Sequence, residues 1–201
     1  MKVFIVGADS LTERMFLSRN WDVVDTLANA DLVCFLGGED VTPTLYDETN
    51  LASHCNWMRD VEEMAIWDEI RELNLPTVGI CRGGQFLNVM NGGKMYQNVD
   101  GHCYGNHDVI VDEVYYDCTS THHQMMDPAP SGVVIGVADE ATRVLDHNGV
   151  NRFSDHRDIE IVWYPENRSL CFQPHPEYNG KKDQTEGLFF DLIKQYIGLA
   201  A

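Results

Sequence analysis

Positive charge is scarce in this chain. Its 201 residues carry 14 Lys and Arg against 32 Asp and Glu, a formal net charge of −18. A nucleic acid or an anionic membrane surface needs a basic footprint, so neither partner is expected. Long apolar runs are missing too, and no stretch approaches the ~18 residues of a membrane-spanning helix. The six cysteines (Cys34, Cys55, Cys81, Cys103, Cys118 and Cys171) form no C-x-x-C pair. In a chain of this size they read as free thiols of a reducing, cytoplasmic compartment. The opening segment Met1–Gly7 is too short for a signal peptide and reads as a first strand. No G-x-x-x-x-G-K-[ST] loop is present, so an ATP-dependent step would lie on a partner. Gly37-Gly38 lacks the third glycine and helix start of a dinucleotide fingerprint. No repeat, low-complexity tract or linker interrupts the chain. With 44% apolar residues it reads as a single domain over 1–201.

What is present alternates. Lys2–Gly7, Trp21–Val24 and Leu32–Leu36 read as short buried strands, the last ending at Gly37-Gly38. Ser10 with Glu13 is a capping-box start for a first helix through Met15 and Phe16. Trp57–Leu73 places Met58, Val61, Met64, Ala65, Ile70 and Leu73 at helical spacing, and Asn74 and Pro76 end that helix. Thr77–Ile80 is a strand that runs directly into Cys81-Arg82-Gly83-Gly84 and a further helix. The stretch from about 94 to 163 is less regular, with strands expected at Val109–Val111, Gly132–Val137 and Ile159–Trp163. Leu170–Gln173 is a last core strand, and Glu186–Ile197 a final helix. This order predicts an α/β fold with a mostly parallel central sheet flanked by helices, and added antiparallel strands in the second half.

Gly79-Ile80-Cys81-Arg82-Gly83 has the G-x-nucleophile-x-G form of an elbow between strand and helix. Glycines on either side remove side chains that would collide in so tight a turn. The helix that follows aims its N-terminus at the sulfur and favours the anion. The Arg82 backbone N–H would face a developing oxyanion. A thiolate nucleophile needs a base, and the base an orienting group. Gln173-Pro174-His175-Pro176-Glu177 offers both. In an extended segment residues i and i+2 face the same side, so Glu177 can hold one nitrogen of His175 while the other faces Cys81. The prolines keep the segment extended. Read without function, the elbow is a glycine-flanked buried cysteine and the second segment a surface turn.

Together these segments resemble the class I glutamine amidotransferase superfamily, and within it the branch of gamma-glutamyl hydrolases and gamma-glutamyl-GABA hydrolases. Gly37-Gly38-Glu39-Asp40-Val41-Thr42-Pro43-Thr44-Leu45-Tyr46 is similar to that branch's G-G-x-D-V-x-P-x-L-Y loop. Arg59-Asp60 with Glu63 is similar to its R-D-x-x-E helix start. The run from Gly79 through Val89, with Gly92-Gly93 and Tyr96-Gln97, is similar to its nucleophile segment. Ser120–Gln124 resembles S-x-H-H-Q, and Gln173–Glu177 resembles Q-W-H-P-E, with Pro174 in place of the Trp.

The resemblance implies a flavodoxin-like three-layer sandwich and cysteine-dependent hydrolysis of a gamma-glutamyl amide bond through a thioester. Cys81 would attack, His175 would shuttle the proton and Glu177 would orient it. The N–H groups of Gly38 and Arg82 would form the oxyanion hole. Gln85, Ser120, His122 and His123 would hold the glutamyl group. Arg82, His122 and His123 are the cations expected to meet its carboxylate. No cofactor is implied. The partner is glutamine or another gamma-glutamyl small molecule, with room for a homo-oligomer or for a separate synthetase or ligase that receives ammonia. A non-catalytic binding module on the same fold is the contrasting reading.

His54, His102, His107, His122 and His123, with Cys55 and Cys103, raise the question of a zinc site. The adjacent His-Cys pairs suit one tetrahedral ion poorly, so no metal is expected. Arg59, Asp60 and Glu63 read as a structural network at a helix start. Tyr104, Tyr115 and Tyr116 read as a surface or partner face.

Overall fold

The computed structural model describes residues 1–178 and 184–200. Among the described residues, thirteen strands and four α-helices alternate along the first half and give way to strands in the second. The strands are β1 (Lys2–Val6), β2 (Asp22–Val23), β3 (Leu32–Phe35), β4 (Thr77–Ile80), β5 (Lys94–Tyr96), β6 (Asn106–Val111), β7 (Val114–Thr119), β8 (Met125–Asp127), β9 (Val133–Ala138), β10 (Arg143–Leu145), β11 (Asn151–Phe153), β12 (Ile159–Tyr164) and β13 (Ser169–Phe172). The helices are α1 (Ser10–Ser18), α2 (Trp57–Leu73), α3 (Arg82–Met90) and α4 (Thr185–Leu192), the last running on into a π-turn at Ile193–Ile197.

Nine strands form one sheet in the order β2-β1-β3-β4-β13-β12-β9-β6-β7. The first five are parallel, and β12, β9, β6 and β7 extend the sheet antiparallel. Buried strands in such a sheet present apolar side chains to both faces. Val3, Ile5, Leu32, Cys34, Val78 and Ile80 face a core completed by Phe16, Trp21, Leu188 and Phe189 of the α1–α4 side. Val6, Val33, Phe35 and Cys171 face the opposite core, with Trp67 and Ile70 of α2 and Phe86 and Leu87 of α3. This is the three-layer α/β architecture that the alternation of strands and helices predicts.

Several local expectations shift. Asp9, not Ser10, caps α1, because its extended backbone lets its carboxylate accept from Thr12 N and Oγ1. The hairpin β6–β7 escapes a reading based on glycine. Its turn residues Asp112 and Glu113 both take positive φ, 49° and 66°, without the Asn-Gly signal usual there. The small strands β5, β8, β10 and β11 are too short to carry a period. Helix α2 keeps its predicted span but turns a different face inward. Met58, Val61 and Leu73 are exposed, whereas Asp60, Glu63, Trp67 and Ile70 are buried.

The glycines of the elbow are set by close packing. A β-carbon at Gly79 would lie 2.2 Å from the Gly83 carbonyl carbon, and one at Gly83 2.3 Å from the Phe35 carbonyl oxygen. The first turn of α3 therefore rests on backbone alone. Gly83→Ala should destabilise the fold by about 1–3 kcal/mol or more, the range for overpacking a core. Urea denaturation of the variant against the wild type measures it.

Candidate active site

The elbow forms at the carboxyl end of β4. Cys81 takes φ 50° and ψ −114°, a strained conformation that its neighbours enforce, and stands directly before α3. Its N–H donates to Phe172 O at 2.8 Å and its carbonyl accepts from Gln85 N at 3.0 Å. The turn is thereby tied both to β13 and to its own helix. Cys81 is buried, and its sulfur accepts from Gln173 Nε2 at 3.6 Å.

His175 follows β13 and meets Glu177 at 2.6 Å from Nδ1 to Oε1. Thr119 grips the histidine backbone from the last position of β7. Its hydroxyl donates to His175 O at 3.0 Å, and it accepts from His175 N at 2.8 Å. Tyr178 stacks on the imidazole with centroids 4.4 Å apart and planes 1° from parallel. Gly37 lies against both reacting groups. A β-carbon there would stand 3.0 Å from His175 Cε1 and 3.6 Å from Cys81 Cβ. Burial pulls the His175 imidazolium down, but the neighbouring Cys81 sulfur and Glu177 carboxylate outweigh it and raise its pKa to about 10.

Behind the elbow lies a buried ion network. Arg82 is 1% exposed and its guanidinium is bound by Asp60 and Glu63. Glu63 also accepts from Arg59 Nε at 2.8 Å. Asp60 also accepts from Thr42 N at 3.1 Å and from the Thr42 hydroxyl. Arg59 donates to Leu36 O at 2.9 Å and underlies Gly38, where φ is 139° and a β-carbon would fall 2.1 Å from Arg59 Nη1. Desolvation, with Arg59 nearby, lowers the Arg82 pKa to about 10 against the pull of Asp60. These contacts explain the reversed face of α2, since two carboxylates must turn inward to neutralise Arg82.

The remaining site residues separate. Gln85 is buried and donates to Gln173 Oε1 at 3.2 Å, so Gln173 links it to the Cys81 sulfur. Ser120 is buried and donates to His102 O at 2.7 Å. His122 lies beside Glu160, at 3.4 Å from Nε2 to Oε1. His123 meets Asp40 of the glycine loop at 3.0 Å, a hydrogen bond that raises its pKa. The expectation that Arg82 and His122 present charge to a substrate fails, because both are enclosed with carboxylates. Among the described residues, the cation at the open cleft besides His175 is Arg59. That cleft, of about 570 Å³, runs along the carboxyl ends of β1 and β3 and includes Gly37, Gly38, Arg59, His175, Glu177 and Tyr178. Thr119 and Tyr178 are not legible as site residues in the sequence. Tyr178 adjoins Glu177 along the chain, but Thr119 reaches His175 only through the sheet.

A family model described as Peptidase C26 matches residues 13–161. The chain belongs to the Peptidase C26 family. The matched stretch includes Cys81 and ends before His175 and Glu177. The glutamine amidotransferase-like protein YvdE of Lactococcus lactis is 38% identical over 80 residues, 39% of this chain and 34% of that protein. A protein of Mycobacterium tuberculosis named as a glutamine amidotransferase is 28% identical over 156 residues, 65% of this chain and 48% of the other. The chain thus spans less than half the length of these relatives. Among solved structures, a glutamine amidotransferase of Thermotoga maritima superposes with a TM-score of 0.64 at 16% identity, covering 98% of this chain and 84% of that one. PurLQS of Thermotoga maritima gives 0.63 at 18% identity, covering 98% of both chains. At such identities the structures speak for the fold. Family and relatives together place the chain in the class I glutamine amidotransferase superfamily.

Two outcomes follow from the geometry. Glu63→Gln leaves Arg82 short of a buried counter-charge and should cost about 3–5 kcal/mol of stability, read from denaturant midpoints. The pH dependence has a definite sign. The folded state holds the His175 proton up to about pH 10, against an ordinary value of 6.5. That contribution to stability is complete below pH 6.5 and is lost as pH rises toward 10. Glu177→Gln should flatten this decline in a plot of melting temperature against pH.

Proposed function

We propose that this chain hydrolyses gamma-glutamyl amide bonds by thioester chemistry, as a single domain. One observation carries the reading: the elbow cysteine and an imidazole already paired with a carboxylate share one corner beside Gly37. The Cys81 sulfur attacks the gamma-carbonyl carbon, forming a C–S bond and placing negative charge on oxygen. The N–H groups of Arg82 and Gly38 receive that charge. As the C–N bond breaks, His175 gives its proton to the leaving amine. His175 then takes a proton from water, whose oxygen attacks the thioester and releases the glutamyl carboxylate and the Cys81 thiolate. Glu177 holds the imidazole in register throughout. Tyr178 walls one face of the ring, and Pro174 stands where the resembling branch has Trp; Arg59 is the cleft cation closest in character to what a glutamyl carboxylate needs.

The gamma-glutamyl hydrolase branch is supported by the glycine loop, the R-D-x-x-E start and the S-x-H-H-Q segment, all drawn toward one region by Arg59, Asp60 and His123. A second reading has the chain as a glutaminase that hands ammonia to a separate ATP-dependent synthetase. It draws on two structural neighbours, one described as part of a GMP synthase of Thermoplasma acidophilum and the other as PurLQS.

Purified protein should release amine or ammonia from glutamine or gamma-glutamyl amines. Cys81→Ala should lower kcat/KM by about 10⁴-fold or more while leaving the fold intact. Retained turnover in that variant would sink the assignment. Activity that appears only on adding a synthetase would favour the second reading.

A further inference from the structure

Away from the cleft, three histidines surround one carboxylate oxygen. His102 Nδ1 lies 3.3 Å from Glu160 Oε1, and His107 Nε2 and His122 Nε2 each lie 3.4 Å from it. None of these four atoms makes a well-formed hydrogen bond. Glu160 is fully buried, and His102 and His122 are 3% and 4% exposed. Buried polar atoms left with only these long ion-pair contacts are costly, and an ion among them would satisfy all four.

The spacing suits an ion. Donors about 2.0–2.1 Å from a tetrahedral centre stand about 3.3–3.4 Å apart. His102, His107 and Glu160 offer ligand atoms all within 4.8 Å of one another, and His122 closes on the same oxygen. The opposite edges of two rings are already held. His102 Nε2 meets Asp158 Oδ2 at 2.9 Å, and His122 Nδ1 meets Gln124 O at 2.9 Å. A carboxylate or carbonyl on the far nitrogen is the usual support of a metal-bound imidazole.

Charge points the same way. Asp158 and Glu160 are both buried, and among the described residues their ion-pair partners are histidines. A divalent cation would neutralise the two carboxylates at once. Glu160 reaches this place through a β-bulge. Ile159 pairs with Val137 and Ile161 with Gly136, so Glu160 is the extra residue. A cavity of about 270 Å³ opens beside His102 and His107, and Asp108, Asp139 and Glu140 at its wall would attract a cation inward.

We propose that His102, His107, His122 and Glu160 form a binding site for a divalent transition metal, with zinc as the best match to three imidazoles and one carboxylate. Its role is structural. The ion ties the segments carrying His102 and His122 to β12. Those segments flank Thr119, which holds the His175 backbone. The sequence expectation of no metal rests on His-Cys pairs, and the assembled ligands use neither Cys55 nor Cys103.

The test uses the full chain carrying Cys81→Ala, which removes the thiolate as a competing metal ligand and makes the result independent of the proposed activity. After chelator treatment, zinc should bind at one ion per chain and raise the melting temperature. His107→Gln, at the half-buried mouth, should fold normally by circular dichroism and weaken zinc by ~10–100-fold or more. Glu160→Gln should do the same. Cobalt should give tetrahedral ligand-field bands without a sulfur charge-transfer band. Absence of stoichiometric zinc in the Cys81→Ala protein, unchanged affinity in His107→Gln, or a sulfur band would each overturn the site.

Discussion

The buried guanidinium of Arg82 is the constraint on which the site hangs. It follows the nucleophile directly, yet its side chain is buried, enclosed by Asp60 and Glu63. Unpaired, a cation so deeply buried would be costly, so the start of α2 must be drawn against the start of α3. Through Asp60 the network takes hold of Thr42, and through Glu63 it takes hold of Arg59, which in turn fixes Leu36 and the space at Gly38. One charge therefore sets the distance between the elbow and the glycine loop. It also decides which face of α2 is inside.

The partner half of the site is held by a different device. His175 sits just past β13, and its conformation is fixed on three sides. Glu177 binds its ring, Tyr178 stacks on it and Thr119 clasps its backbone. Thr119 arrives from β7, the far edge strand of the nine-stranded sheet, and the chain around it returns toward the histidine cluster through Ser120 and His122. The irregular, acidic second half of the chain is in this sense the scaffold of the base, as the first half is the scaffold of the nucleophile.

The strong negative charge of the chain reaches the cleft as well. Asp9, Glu62, Glu63 and Glu177 line it, and among the described residues Arg59 and the protonated His175 are its cations. An anionic ligand group would therefore be received by Arg59, by the His175 imidazolium or by backbone N–H groups. No helix among the described residues is long and apolar enough to cross a membrane.

The local grammar of the chain is readable from its residues. The buried strands of the parallel half, the span of α2 and the elbow at Cys81 all follow from period, punctuation and sterics over a few residues. His175 and Glu177 do pair, but not across an extended segment as expected: Pro176–Tyr178 closes into a 3-10 turn, which a proline at its first position permits, and that turn brings the carboxylate back onto the ring. The inward face of α2 is not readable in this way, because three apolar residues at helical spacing give way to two carboxylates with a distant arginine. Nor is the β6–β7 hairpin, whose turn relies on Asp112 and Glu113 at positive φ. Ser120 and His122 resemble substrate contacts in sequence and are buried among their own neighbours in the fold. Sequence determined what each segment could form and which residues could do chemistry. Only the tertiary structure decided which charges meet, because ion pairing and clustering of histidines act between residues tens of positions apart. No local pattern encodes those distances.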